Sequence, residues 1–324
     1  MSKPFAPRVR VSTYISTWMP TRVGVAGYFA GGLSVGVKLT EINKFAFLSE
    51  TSSNSSANLT TGRSYAAGFA NSSVAGYVAG GENASSTYLS SIEKIAFPDD
   101  TQSVLSATLT TSVFACTGMA NSNVAGYVGS GYDTGGLTRI DKIVFSNDAK
   151  STLSATLTTP RTFSGGFSND GVAGYFGGGY NHTAGGRISG IDKIAFPADT
   201  KSTLSATLTN AIEAPFGVAD STNAGYVGGG RTPTVQSGID KIAFPSDTKS
   251  TLSATLTTAR YLTNAVANSN VACYVGGGEN SSGTTLSTIE KITLPYDTVS
   301  VLSVTLSRGN LGMAPFSNQG TLNA

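Results

Sequence analysis

One short element, Gly-Tyr-(Val/Phe)-(Gly/Ala)-(Gly/Ser)-Gly, returns six times, and that recurrence limits the possible folds more than any composition does. Its tyrosines are Tyr28, Tyr77, Tyr127, Tyr175, Tyr226 and Tyr274, separated by 49, 50, 48, 51 and 48 residues. Cys273 replaces the preceding glycine in the last copy. A second element, close to Ser-Ala-Thr-Leu-Thr, centres on Leu59, Leu109, Leu157, Leu208, Leu256 and Leu306. Two independent markers therefore define six units of about 49 residues. A period in this range belongs to solenoids, propellers and arrays.

Each unit carries four strand signals. In the copy beginning at Arg161, residues 162–168 read as a first strand, followed by an Asn169-Asp170-Gly171 turn. Val172 to Phe176 alternates as a second strand before the glycines 177–179, and 188–196 forms a third. Pro197-Ala198-Asp199-Thr200 suits a tight turn, because Pro presets φ and Asp bonds its own backbone. Residues 202–209 supply the fourth strand. No window shows a helical period. The expectation is an all-β chain: a six-bladed β-propeller of four-stranded antiparallel blades.

The ends indicate how the ring closes. Leu256 stands 15 residues before Val271, where a second strand begins, and the same count from Leu306 reaches Thr321, near the last residue, Ala324. Residues 308–318 thus read as a first strand without a second. The first Gly-Tyr unit, from Val25 to Gly32, lacks a clean strand before it. Joining the two completes a blade from both termini and leaves no sheet edge open. In the competing arrangement 11–19 supplies that strand; the spacing favours the C-terminal one. The division is an arm over 1–20 and a propeller over 21–324.

Further residues resemble the kelch repeat, in which an Arg precedes the first strand, Gly-Gly ends the second and an aromatic beside Pro ends the third. Arg63, Arg161, Arg260 and Arg308 take the first place, with Val113 and Glu213 near it in two other units. Gly80-Gly81, Gly178-Gly179, Gly229-Gly230 and Gly277-Gly278 take the second; Phe97-Pro98, Phe196-Pro197 and Phe244-Pro245 take the third. Leu153, Leu204 and Leu252 stand where kelch repeats have Trp. The resemblance covers roughly 22–320 and implies the propeller fold. It also implies that the loops between second and third strands, with those carrying the arginines, form an end surface that binds partners. On chemistry it is nearly silent, because one fold hosts many functions.

The third strand reads Ile-acid-Lys in nearly every unit: Asn43-Lys44, Glu93-Lys94, Asp141-Lys142, Asp192-Lys193, Asp240-Lys241 and Glu290-Lys291. Adjacent strand residues point to opposite faces, so the acid of one blade is expected to meet the lysine of the next. A six-fold identical set gives no asymmetric catalytic constellation, and the pairs read as structural. The recurring tyrosines read as blade packing for the same reason. The segment after each glycine cluster, by contrast, differs in every copy. Variable loops on a rigid ring are where specificity is free to change. The candidate contacts there are Glu82, Asn83, Tyr132, Asp133, Arg139, Tyr180, Asn181, His182, Arg187, Arg231, Glu279 and Asn280, together with Arg63, Arg161, Arg260 and Arg308. Tyr and Arg dominate binding hot spots. The repeat arginines have a second reading, in which they bond strand-end carbonyls and touch no ligand.

Composition removes most chemistries. Charged residues make up 12%, half the usual share of about 25%, and 21 basic against 19 acidic residues leave no basic block for nucleic acid. No apolar run reaches the roughly 18 residues that span a bilayer. Two cysteines, Cys116 and Cys273, make neither a disulfide framework nor a zinc site. A copper radical oxidase needs two His ligands and His182 is the only one; Pro-x-Asp-Thr lacks the Gly and Trp of a sialidase Asp box. No enzyme activity and no cofactor are expected. The 1–20 segment lacks the apolar core of a secretory signal. Few charges, strands rich in Ser, Thr, Gly and Asn, and little-diverged repeats resemble in style the tail, fibre and baseplate proteins of phages. The expectation is a non-enzymatic virion component binding a host glycan or protein through its loops; the alternative is a bacterial surface or extracellular carbohydrate-binding propeller. The arm, with Arg8, Arg10 and the sole tryptophan Trp18, is expected to anchor other virion proteins, with homo-oligomers within the assembly allowed. Neither nucleic acid nor membrane insertion is expected.

Overall fold

The computed structural model of the protein describes residues 25–221 and 223–319. Among them the chain forms six four-stranded antiparallel sheets and no helix. In blade two the strands run outward from the axis as Ala67–Asn71, Ala75–Ala79, Leu89–Ala96 and Thr101–Val113. Blades three to six repeat this order, beginning with the innermost strands Thr117–Asn121, Gly165–Asn169, Phe216–Asp220 and Asn264–Asn268. Blade one is composite. Its inner strand is the C-terminal Ala314–Asn318, paired antiparallel with Ala26–Ala30, then Glu41–Ala46 and Thr51–Asn58. The innermost strands touch in a closed circle, so the protein is a six-bladed β-propeller closed by its C-terminal strand. The 11–19 alternative lies outside the described residues.

The fourth strand departs from expectation in three blades. It is Ala149–Thr152, Thr200–Thr203 and Thr248–Thr251 in blades three to five, starting earlier and ending sooner than 202–209 predicts. The Ser-Ala-Thr-Leu-Thr marker there is a strap. Its leucine, as at Leu208, is buried and its amide bonds back to the third-strand side of its own blade through Ser189 O. The following threonine reaches the next blade.

Blade faces are held together by a triad repeated around the ring. Tyr127 and Lys142 stand opposite each other on the second and third strands of blade three. Tyr127 Oη donates to Asp199 Oδ1 at 2.7 Å, and Lys142 Nζ donates to Oδ2 of the same carboxylate at 2.6 Å. Asp199 lies in the turn after the third strand of blade four. The same arrangement recurs as Tyr28–Lys44–Asp100, Tyr77–Lys94–Asp148, Tyr175–Lys193–Asp247 and Tyr226–Lys241–Asp297. Tyr274–Lys291–Glu50 carries it across the closure. Each tyrosine is buried, and burial together with the carboxylate pushes its phenol well above the ordinary range. The glycine before it clears space for the neighbour: a Cβ on Gly126 would lie 2.2 Å from the Phe69 ring of blade two.

The expected acid-to-lysine ladder is therefore not what forms. Lysine reaches forward to a turn carboxylate, while the strand acid faces backward to the preceding strap. Asp141 accepts from Thr110 N and Oγ1 at 2.8 and 2.7 Å; Asp192 and Asp240 take both donors of Thr158 and Thr209, and Glu93 and Glu290 take the backbone N of Thr60 and Thr257. Asn43 serves the same place with Ser307.

At the axis the six connectors form a closed circuit of backbone bonds. Tyr65 N donates to Gly312 O, Ala115 N to Tyr65 O, Phe163 N to Ala115 O, and onward through Ala214 and Leu262 to Gly312, at 2.7–3.0 Å. All six residues take positive φ between 53° and 61°, a conformation that costs non-glycine residues energy and is held here by the circuit. Bulky Tyr65, Phe163 and Leu262 alternate with Ala115, Ala214 and Gly312. The Tyr65 and Phe163 rings meet at 5.5 Å and narrow this end. Beyond it a channel of about 590 Å³ opens to the opposite face, lined by small residues such as Gly68, Ala70, Gly118 and Ala120.

Candidate functional site

The connectors between blades and the loops between second and third strands make up one face. They are stitched by two-residue bridges within each blade, including Phe114–Tyr132, Thr162–Tyr180, Glu213–Arg231 and Tyr261–Glu279. The sequence-predicted contact residues separate here into four groups.

The repeat arginines do not face outward. Arg63, Arg161 and Arg260 are among the most buried large side chains. Arg63 Nη1 donates to Gly80 O and Ser91 O, and Nη2 lies 2.5 Å from Glu93 Oε1. Arg161 pairs with Asp192 at 3.0 Å and Arg260 with Glu290 at 2.5 Å. Burial lowers each guanidinium below its usual pKa while the carboxylate opposes that fall. These three are corrected from ligand contacts to internal braces. Arg308 is not their counterpart. The carbonyls that receive the second glycine of the preceding blade's pair belong to Arg63, Val113, Arg161, Ile212, Arg260 and Asn310, each four residues past the marker leucine. Arg308 stays outside, half exposed, 2.6 Å from Glu41.

A second group shapes the loops. Asn83 Oδ1 accepts from Ser85 N and Thr87 N, Asn181 Oδ1 from Thr183 N and Ala184 N, and Asn280 Oδ1 from Ser282 N and Thr284 N. Asp133 does the same for Thr134 N and Gly135 N; burial raises its carboxyl, but these bonds outweigh it and hold the pKa below the ordinary value. Their oxygens are engaged in local turns.

A third group forms a charged sector over blades four to six. Glu213 receives both Arg231, at 2.6 Å, and Arg187, at 3.1 Å. The Arg231 guanidinium lies 4.7 Å from the Tyr261 ring centroid, and Tyr261 Oη donates to Glu279 at 2.6 Å. Burial and Glu279 push the Tyr261 phenol up to about 12. On blades one and two Lys38 pairs with Glu82 at 2.6 Å.

The fourth group is aromatic and spans blades two to four. Tyr88 stacks on Phe114 at 4.5 Å, Phe114 meets Tyr132 at 5.7 Å, and Tyr132 meets His182 at 4.8 Å. His182 continues to Tyr180 at 4.9 Å, and its Nε2 lies 3.1 Å from Thr162 Oγ1. Arg139 flanks the strip, its Nη2 donating to Thr111 at 2.6 Å. Tyr88 and Phe114 were absent from the predicted contacts. Phe114 sits beside the Val113 repeat position, and its connection to the loops is visible only once the bridges are known.

Among the described residues no three His, Cys, Asp or Glu side chains gather as a metal site. Arg8, Arg10 and Trp18 lie outside the described residues. No protein-family model and no curated protein matches the chain.

Proposed function

We propose that this chain is a non-enzymatic binding and structural protein, a virion component of the phage tail, fibre or baseplate type, presenting its loop face to a host surface or protein. The observation that supports this reading is the contrast between interfaces repeated six times with one chemistry and a single end face whose side chains differ blade by blade. An asymmetric surface on a repetitive frame suits recognition, and the loop positions match those by which kelch-like propellers bind partners.

Two measurements test the reading. Mass spectrometry of purified particles from the source should find the chain, and its absence overturns the virion assignment. Soluble propeller should compete with attachment to the host; competition that survives simultaneous exchange of the 82–88, 132–139 and 180–187 loops for glycine-serine segments overturns the loop face.

A further inference from the structure

We infer that the strip Tyr88–Phe114–Tyr132–His182–Tyr180 binds a neutral oligosaccharide, by stacking sugar faces on the rings and hydrogen-bonding to the phenols. The inference rests on the loop face being the binding surface. It goes further in naming the ligand and the sector.

The strip differs from the tyrosines of the blade interfaces. The six interface tyrosines are buried and each hydroxyl is committed to a carboxylate. The strip rings are only partly covered, His182 is exposed, and among the described residues the hydroxyls of Tyr88, Tyr132 and Tyr180 make no hydrogen bond. Successive contacts of 4.5–5.7 Å carry the rings across three blades, long enough for more than one sugar unit. An aromatic face offers apolar area to sugar C–H groups, while a phenol supplies a donor and an acceptor at little entropic cost.

Charge selects the class. Asp133 is taken by its own turn, Arg187 is paired with Glu213 and Glu82 with Lys38. Arg139 is bonded to Thr111 and lies 3.8 Å from Asp141. The guanidiniums beside the strip already have acceptors, so an anionic sugar or acidic peptide must compete with Glu213 or Asp141 for its counter-ion, whereas a neutral glycan needs none.

The test is a glycan array of neutral and acidic oligosaccharides with the intact protein, then calorimetric titration of the best neutral hit. Binding of a neutral oligosaccharide is expected, weakened at least tenfold by Tyr132→Ala, less by Tyr132→Phe, and unchanged by Arg308→Ala on the far sector. His182→Ala and Tyr88→Ala provide the same readout should Tyr132→Ala fail to fold. Binding of acidic glycans alone, of no glycan, or with full affinity in all three alanine variants overturns the inference. If attachment still depends on the exchanged loops, the loop face stands and only the glycan falls; if it does not, both fall.

Discussion

The blade interfaces and the loop face are built by the same repeats under opposite constraints. At an interface, Tyr, Lys and a turn carboxylate recur six times with distances of 2.5–3.1 Å, because every blade must fit the next and one poor fit strains the whole circle. On the loop face, Glu82, Tyr132, Tyr180, Arg231 and Glu279 put acid, phenol and guanidinium in one equivalent place. Nothing in the ring requires them to agree. Repetition marks packing here and divergence marks use.

The largest way to break the frame is to open it. Deleting 309–324 removes the inner strand of blade one, leaves the edge of Ala26–Ala30 unpaired and breaks the axial circuit at Gly312. Circular dichroism on heating should then show no cooperative transition, while an intact melt would mean that closure contributes nothing. Next comes the inner brace. Asp192→Asn leaves Arg161 buried without its counter-charge, a loss of about 3–5 kcal/mol readable as a lowered urea midpoint. A surface-sized effect would contradict the burial of that pair. Asp199→Ala frees Lys142 and the Tyr127 hydroxyl together, at about 1–3 kcal/mol.

Alkali sharpens the comparison. The interface phenols are raised above the ordinary value of 10.0 by burial and by their carboxylates. Their contribution is thus complete below pH 10 and shrinks as pH rises past it, because the unfolded chain releases those protons first. Stability should fall steeply above about pH 10, and Tyr127→Phe should lessen that slope by one proton. Tyr132→Ala on the loop face belongs at the small end, costing about 0.5–1.5 kcal/mol of ring contacts while weakening glycan binding at least tenfold. Arg231→Ala, on a pair 41% exposed at the arginine, should cost under about 1 kcal/mol.

The repeat made much of the frame legible. Six tyrosines and six leucines gave the blade count, and the unpaired 308–318 segment gave the closure. The interface partners were not legible: Lys142 and Asp199 stand in different repeats, and the strand alternation says which side a residue faces but not what the next blade's turn places there. Pro-x-Asp-Thr was readable as a turn, but the second use of its Asp depends on the packed angle between blades. The Arg308 misassignment had a remedy in the sequence, since counting four from each marker leucine leads to Asn310. The aromatic strip escaped because Tyr88 and Phe114 come from different loops and join only through bridges formed on folding.

The alternation of bulky and small residues around the axial circuit carries a rule of parity. Tyr65, Phe163 and Leu262 share their blades with the buried Arg63, Arg161 and Arg260; Ala115, Ala214 and Gly312 share theirs with Val113, Ile212 and Asn310. Such a pattern closes without conflict only on an even number of blades. Adding or losing a single repeat would set two bulky residues, or two small ones, next to each other in the circuit. A pair of repeats is then the smallest change in length that keeps the alternation.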